Sequence, residues 1–338
     1  MAIREAIQKV VEGASLSQDE AAAVMGEMME GQATPAQIGA FLVALRLKGE
    51  TVEEIAGLAR TMREKAHRVH ISDAVVDTCG TGGDSAGTFN ISTAAAFVVA
   101  GLGVKVAKHG NRAMSSGCGS ADVLEALGVK ISLGPEGVRR CLDEVGVGFM
   151  FAQAFHPAMR HVAGARREIG IRTVFNILGP LTNPAGAQHQ VIGVADTALA
   201  PKMAAALQLL GARHVLLVHG QDGLDELSLS GPSAVWELRD GRVREYTVTP
   251  EDAGLTRAPR AALAGGSAQE NAAILRGVLS GERGPRREVV LLNAAAALVA
   301  ADRARDLREG AHLAAQSLDS GWARQKLEGL TKLSQALE

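Results

Sequence analysis

The sequence predicts an α/β protein, in which a small all-helical domain precedes a larger domain built on a mostly parallel central sheet flanked by helices. The first 69 residues carry helix-start signals and no strand pattern, whereas short apolar runs alternate with helical patterns from residue 73 onwards. Strands that alternate with helices pair in parallel. We therefore predict a helical domain over residues 1–69 and an α/β domain over residues 70–338.

Successive capping boxes divide the helical domain. In each box a hydroxyl residue stands three positions before a glutamate or glutamine, which satisfies the free N–H groups at a helix start. Gly31 and Gly49 stand where helices would end. The boxes are Ser17 with Glu20, Thr34 with Gln37, and Thr51 with Glu54.

The α/β domain opens with a predicted strand over 74–76 and a buried helix over 94–101. Further strands are predicted over 104–107, 129–132, 147–151, 190–194 and 215–218. Among the helices between them, one is capped by Ser120, one opens at Pro135, one begins at His156 and one covers 201–210. The proline-broken segment 175–184 is typical of a lid or a hinge.

Towards the end of the chain the pattern changes again. Asp240 and Gly241 separate two strand patterns, over 234–238 and 243–248, and this dipeptide is a strong hairpin signal. Ser267 with Glu270 forms a fourth capping box. From there the pattern is helical.

The composition excludes several classes of protein. Apolar residues make up 47% and charged residues 21% of the chain, and the net charge is −2 with both signs interspersed. This balance gives no electrostatic reason to expect a nucleic acid or a membrane as partner. The first 13 residues lack the apolar core of a signal peptide, so we expect a cytoplasmic protein.

Three cysteines, Cys79, Cys118 and Cys141, have no CxxC spacing. An odd number without that spacing predicts neither a disulfide framework nor a zinc site. Cys79 and Cys118 flank the glycine-rich stretches described next. Because a nucleophilic thiol needs an activating base, we interpret both as packing residues.

A glycine turn between the strand at 74–76 and the helix at 94–101 predicts a phosphate site. Gly80, Gly82 and Gly83 form the turn, and Asn90 stands among residues suited to cap the helix. A capped helix start behind such a turn offers free N–H groups to an anion. The turn matches neither the Walker A nor the dinucleotide motif, so packing alone remains an alternative interpretation.

A second polar cluster follows the next predicted strand. Cations, hydroxyl residues and glycines stand together over 108–112 and 115–122. The carboxyl ends of parallel strands meet at one edge of the sheet, where such sheets bind their ligands. A single polyanion is therefore expected to lie across both loops.

These segments resemble the anthranilate phosphoribosyltransferases of tryptophan biosynthesis. The resemblance rests on DTCGTGGD at 77–84, FNIST at 89–93 and KHGNRAMSSGCGSAD at 108–122, and continues through 166–184 and 222–226. The pyrimidine nucleoside phosphorylases share the fold and have related segments. Asn111 and the Gly-Ser-Ala-Asp run at 119–122 look like the transferase branch.

The resemblance implies two substrates, 5-phosphoribosyl 1-diphosphate (PRPP) and anthranilate, and a set of residues for the first. Two loops would bind the two phosphate-bearing ends of PRPP. The residues implied are Gly80, Gly83, Asp84, Thr88, Asn90, Ile91, Ser92, Thr93, Lys108, His109, Gly110, Asn111, Arg112, Ala113, Met114, Ser115, Ser116 and Ser120.

The metal and the acceptor also follow from the resemblance. Ser92, Asp225 and Glu226 would hold Mg²⁺, with two ions per subunit, against the leaving diphosphate. Arg166 would pair with the anthranilate carboxylate, and Gly80 and Asn111 would complete the acceptor pocket. His109 would accept a proton or orient the amine. No covalent intermediate is expected, because a neutral aromatic amine needs no strong base.

Three functions are alternatives for this sequence. The first is phosphoribosyl transfer to anthranilate, the second is nucleoside phosphorolysis, and the third is a non-enzymatic relative that binds nucleic acid. The basic stripe and the degraded metal loop that would indicate the third are absent from the sequence. The resemblance further implies a homodimer formed through the helical domain. It also implies that helices from about 163–185 belong to that domain.

Overall fold

The computed structural model describes residues 2–84, 86–113 and 117–337. Its helices are α1 Ile3–Val11, α2 Gln18–Met29, α3 Pro35–Lys48, α4 Val52–Lys65, α5 Ile91–Gly101, α6 Ser120–Ala126, α7 Pro135–Glu144, α8 Ala152–Phe155, α9 Arg160–Ile169, α10 Phe175–Leu181, α11 Ala200–Leu209, α12 Ala268–Leu279, α13 Pro285–Ala300, α14 Leu307–Asp319 and α15 Trp322–Ala336. Its strands are β1 Val75–Gly80, β2 Lys105–Gly110, β3 Val147–Phe151, β4 His189–Gly193, β5 His214–Gly220, β6 Ser233–Arg239 and β7 Arg242–Val248.

One seven-stranded sheet has the order β3-β2-β1-β4-β5-β6-β7. The pairs from β3 to β5 are parallel, and β6 and β7 are added antiparallel. The predicted fold class, an all-helical part and a mostly parallel sheet flanked by helices, is confirmed. Because β1 is flanked by β2 and β4, the strand order changes direction at β1.

Two hydrophobic cores lie on opposite faces of the sheet. One joins α1–α4 and α9–α11 to a face of β4, β5 and β6, with Phe41, Leu178 and Trp236 among its members. The other packs α5 and α13, which are buried along nearly their whole length, against the central strands. No helix within the described residues is long and apolar enough to cross a membrane.

The predictions that rest on short sequence motifs, the capping boxes and the hairpin turn, are confirmed. All four predicted capping boxes form at the starts of α2, α3, α4 and α12. Asp240 and Gly241 have φ values of +50° and +70°, as a two-residue hairpin turn requires. They connect β6 to β7.

Two predictions about elements are wrong. Residues 129–132 form no strand, because the Lys130 N–H donates to Ser334 Oγ of α15 and not to a neighbouring strand. Ser120 is the first residue of α6, and Gly119 is its cap. Residues 175–181 of the segment predicted as a lid or a hinge form the helix α10, whose apolar residues belong to the first core and whose Pro180 is buried.

Candidate functional site

The glycine turn connects β1 to α5 as the spacing predicts. Gly82 and Gly83 have φ values of +61° and +82°, a region that side chains with a Cβ rarely adopt. Asn90 is the N-cap residue of α5, but its side chain makes no capping hydrogen bond. The first turn of α5 therefore keeps its N–H groups free of a side-chain cap, which favours binding of an anion.

The acidic loop after β5 reaches the point where the strand order changes direction. Gly80 of β1 pairs with Gly193 of β4 there. A Cβ on Gly193 would lie 1.6 Å from the backbone oxygen of Asp225, and a Cβ on Gly80 would lie 2.9 Å from its Oδ2. The two glycines thus provide the space that the loop occupies, at the place where open α/β sheets bind ligands.

Hydrogen bonds join this loop to the glycine turn. The backbone N–H of Gly82 donates to Oδ2 of Asp225 at 3.1 Å. The backbone N–H of Asp225 donates to Oδ2 of Asp84 at 3.5 Å. Residues far apart in the sequence therefore place two carboxylates beside the glycine turn.

The negative charges of this cluster are poorly compensated by the protein. Burial, followed by the charge of Asp84, raises the pKa of Asp225 to about 7. Burial and the charge of Asp225 raise the pKa of Glu226 well above its ordinary value, against the opposing charge of Lys108. Carboxylates crowded in this way favour a bound cation.

The donor set is compatible with Mg²⁺. The described residues contain no group of three or more His, Cys, Asp or Glu side chains arranged to hold a metal ion. Mg²⁺ usually takes only one or two carboxylates and completes its shell with water and substrate phosphates. Asp225 and Glu226, with Asp84 beside them, fit this pattern.

Lys108 is fixed inside the site, because it is 3% exposed and Nζ donates to the carbonyl oxygen of Thr78 and, at 3.3 Å, to Oγ of Ser92. Burial lowers the pKa of Lys108, against the opposing charge of Asp77. One buried cation thus connects β1, β2 and the start of α5.

Two buried histidines lie next to each other, with ring centroids 5.1 Å apart. Nδ1 of His109 lies 3.2 Å from the carbonyl oxygen of Gly179 in α10, so Nδ1 carries the proton and Nε2 is an acceptor. Neither Nε2 of His109 nor the ring nitrogens of His156 have a hydrogen-bond partner among the described residues. Burial lowers the pKa of His109 to about 3 and that of His156 to about 4.

The sequence analysis assigned no site role to His156. It follows β3 closely, and β3 neighbours β2 in the sheet. Its position after a neighbouring strand was therefore the signal that could have identified it, because the ends of parallel strands lie at one edge.

Arg166 and Arg167 differ in their surroundings. Arg166 of α9 is half-buried and its guanidinium carbon lies 4.8 Å from the ring centroid of Phe175, whereas Arg167 is exposed. Burial lowers the pKa of Arg166. Phe175 begins α10, the helix that also carries the His109 contact, so α10 connects Arg166 to the histidine pair.

A cleft of about 180 Å³ borders the glycine turn. Arg172 is another residue to which the sequence analysis gave no role: its Nη2 donates to the carbonyl oxygen of Thr81 at 3.5 Å. A Cβ on Gly83 would lie 1.8 Å from Nη1 of Arg172, so this close approach and the φ of +82° both favour glycine here. The lining also includes Arg46, Glu50, Thr173, Asn176 and Asp196.

The second predicted loop is organised by Asp122. Its Oδ2 accepts hydrogen bonds from the backbone N–H groups of Ala113 and Gly119, at 3.0 and 2.9 Å. Arg112 forms ion pairs with Asp122 and Glu125, so its side chain is directed towards α6. Met114, Ser115 and Ser116 lie outside the described residues.

Other predicted residues adopt specific local positions. Ile91 and Thr93 are buried, so only their backbone groups can face a ligand. Oδ1 of Asn111 accepts a hydrogen bond from Arg112 N, and Ser120 Oγ donates to the carbonyl oxygen of Asn111 at 3.4 Å. Thr88 pairs with Ala264 in an isolated antiparallel bridge.

The cysteines show no sign of activation. Burial raises the pKa of Cys118, and it raises that of Cys79 well above its ordinary value. A raised thiol pKa disfavours the nucleophilic thiolate. Both observations agree with a packing role.

Residues 4–66 match the model described as "Glycosyl transferase family, helical bundle domain", and residues 72–324 match "Glycosyl transferase family, a/b domain". An anthranilate phosphoribosyltransferase of Roseiflexus sp. (strain RS-1) is 64% identical over 340 residues, which cover 100% of both chains.

Solved structures of anthranilate phosphoribosyltransferases are also similar to this chain. Anthranilate phosphoribosyltransferase from Thermus thermophilus is 49% identical, with a TM-score of 0.93 over 98% of this chain and 99% of that one. The enzyme from Saccharomyces cerevisiae in complex with PRPP and Mg is 29% identical, with a TM-score of 0.92 over 99% and 98% of the two chains.

Proposed function

We infer that this chain, which belongs to the anthranilate phosphoribosyltransferases, transfers the 5-phosphoribosyl group of PRPP to the amine of anthranilate. The products are N-(5-phosphoribosyl)anthranilate and diphosphate, and the reaction is a step of tryptophan biosynthesis. The observation that carries this proposal is the hydrogen bond from Gly82 N–H to Asp225, since it brings the acidic loop to the phosphate-binding turn.

The donor binds across the two loops at the ends of β1 and β2. Ile91 and Thr93 contribute backbone N–H groups, because their side chains are buried, and Arg112 contributes through its backbone, because its side chain pairs with α6. The full set comprises Gly80, Gly83, Asp84, Thr88, Asn90, Ile91, Ser92, Thr93, Lys108, His109, Gly110, Asn111, Arg112, Ala113 and Ser120, together with the undescribed 114–116.

Asp225, Glu226 and Oγ of Ser92 hold magnesium, with two ions per subunit. When bound, Mg²⁺ stabilises the negative charge that develops on the departing diphosphate. The poor compensation of Asp225 and Glu226 supports this assignment. Lys108 places a fixed positive charge near Glu226.

The acceptor is anthranilate, and its carboxylate pairs with the half-buried Arg166. Asn111 and Gly80 complete the acceptor pocket. The bond from the sugar C1 to the diphosphate oxygen breaks, a bond from C1 to the amine nitrogen forms, and the nitrogen loses one proton to the departing diphosphate or to water. With a pKa of about 3, His109 is a weak base, so Nε2 serves to orient the amine rather than to remove a proton before attack.

The remaining parts of the proposal concern organisation. Residues 1–69 form a helical domain that α9 and α10 join, because Val162 and Leu178 lie in the same core as α1–α4. Residues 70–338 form the donor-binding domain. Two copies associate through the helical domain, and the protein acts in the cytoplasm.

The test is an assay of the purified protein with PRPP, anthranilate and Mg²⁺. Loss of anthranilate fluorescence, with release of diphosphate, is expected. Phosphorolysis of thymidine or uridine without consumption of anthranilate would overturn the proposal in favour of a nucleoside phosphorylase. Addition of EDTA is expected to stop the reaction, and Mg²⁺ to restore it.

A further inference from the structure

A chain of side-chain amides links three segments that are distant in the sequence. The backbone N–H of Gly266 donates to Oδ1 of Asn271 at 2.8 Å. Nδ2 of Asn271 donates to Oδ1 of Asn90 at 3.0 Å, and Nδ2 of Asn90 donates to the carbonyl oxygen of Cys118 at 3.1 Å. Asn271, which lies near the start of α12, is 1% exposed.

Backbone contacts place α12 against the donor loop. Thr88 forms its antiparallel bridge with Ala264, and Gly265 N–H donates to the carbonyl oxygen of Gly87 at 2.9 Å. A Cβ on Gly265 would lie 2.7 Å from both Oδ1 of Asn271 and the backbone nitrogen of Phe89. Segment 263–266 is therefore closely fitted to the loop that ends at Asn90.

The direction of the amide chain is determined at one end. A backbone N–H can only donate, so Gly266 fixes which end of the Asn271 amide is the oxygen. Asn271 must then present N–H to Asn90, and Asn90 in turn must present N–H to the Cys118 carbonyl. The Sγ of Cys118, 3.5 Å from Oδ1 of Asn90, agrees with this orientation.

This arrangement explains why the N-cap residue of α5 does not cap its own helix. The Asn90 amide is used to hold the loop that precedes α6, and the proposed donor site needs both loops at once. We propose that Asn271 is a positioning residue that orients Asn90 and thereby couples the donor loop at 87–90 to the loop at 117–120. This inference rests on the proposed function, because it gives the coupled loops the task of binding PRPP.

The discriminating variant is Asn271→Asp, measured at pH 8 so that the new carboxylate is ionised. It keeps the acceptor for Gly266 N–H but cannot donate to Asn90. The Asn90 amide is then expected to turn over and place its oxygen against the Cys118 carbonyl, which separates the loops. We expect the KM for PRPP to rise about tenfold or more, with the KM for anthranilate changed less than about twofold.

Ser317→Ala is the matched control. Ser317 is fully buried, and its Oγ donates to the carbonyl oxygen of Val98 at 2.8 Å, in the half of α5 distant from the donor loop. Its loss removes a buried hydrogen bond on the same helix and is expected to lower the melting temperature while leaving the KM for PRPP unchanged. A structural role of Asn271 alone would give the same pattern as this control.

A double-mutant cycle tests the coupling. If Asn271 acts through Asn90, adding Asn271→Asp to Asn90→Ala should raise the KM for PRPP no further. Multiplicative effects, an unchanged KM in Asn271→Asp, or equal losses for both substrates would overturn the inference. Calorimetric titration of the wild-type protein with PRPP separates the two proposals: absence of binding refutes the proposed function, whereas binding with no effect of the variants refutes only the role of Asn271.

Discussion

The buried histidine pair predicts that the fold is sensitive to mild acid. His156 is 3% exposed, and its pKa of about 4 lies below the ordinary value of about 6.5. A histidine with a lowered pKa stabilises the fold above pH 6.5, and this contribution is lost as the pH falls towards 4. Between pH 6.5 and pH 5 the loss is about 1.4 kcal/mol per pH unit, or about 2 kcal/mol for His156.

The variant His156→Leu removes this dependence. Because neither ring nitrogen of His156 has a partner among the described residues, an apolar replacement should leave the stability at pH 7 unchanged or higher. At pH 5 the variant should exceed the wild type by a further 2 kcal/mol or so, about 3 °C in melting temperature for a chain of 338 residues.

Calorimetry at pH 7 and pH 5, on both proteins, measures the effect. Comparing the two proteins cancels contributions they share, including that of Asp225, whose raised pKa of about 7 acts in the opposite direction. His312→Leu, on the exposed surface of α14, is the control for removing a histidine. Equal acid destabilisation of wild type and His156→Leu would refute the reasoning.

Three further predictions concern the reaction. Arg166→Ala should lower kcat/KM for anthranilate by about one to two decades, since a charge-assisted pair contributes about 1.5–3 kcal/mol, with PRPP binding retained in calorimetry; equal loss for both substrates would contradict this. Asp225→Asn with Glu226→Gln should lower turnover and raise the Mg²⁺ requirement while PRPP affinity holds, and wild-type turnover at the same Mg²⁺ dependence would refute the metal assignment. Gly193→Ala should displace the acidic loop, because its Cβ would overlap the backbone of Asp225, and should therefore lower both turnover and melting temperature. Gly211→Ala is the control: a Cβ there enters open space, but at a φ of +82°, so this variant should lower the melting temperature only.

The sequence predicted those parts of the fold that depend on neighbouring residues. Capping boxes and the Asp240-Gly241 turn are complete within a few positions, so the local chemistry decides them. The strand prediction for residues 129–132 was wrong because a strand forms only when it pairs with another strand, and that pairing depends on the arrangement of the whole sheet. Residues 175–181 form the helix α10 in the core that also contains residues of α4 and α11, and the prolines of this segment did not reveal that packing.

The sequence indicated which kinds of residue form the candidate site, but not which of them contact one another. Residue type and position indicated the glycine turn and Lys108, whereas Asp225 was assigned only through the family resemblance. Their relation could not be predicted, because Gly82 and Asp225 are separated by 143 positions and meet only through the order of β1, β4 and β5. His156 and Asn271 were missed because a buried polar residue carries no sequence signal until the groups that face it are known.

The hydrogen bond between Gly82 and Asp225 has a consequence for donor binding. The N–H group of Gly82 in this turn already donates to the carboxylate of Asp225, and Glu226, when ionised, adds a second negative charge near that carboxylate. Under the proposed function, a polyanionic donor at this turn therefore meets repulsion unless positive charge accompanies it. Lys108 supplies only one fixed charge, and burial lowers its pKa. We therefore expect the donor to bind together with a cation. Removing the two carboxylates is expected to spare donor affinity while it impairs turnover.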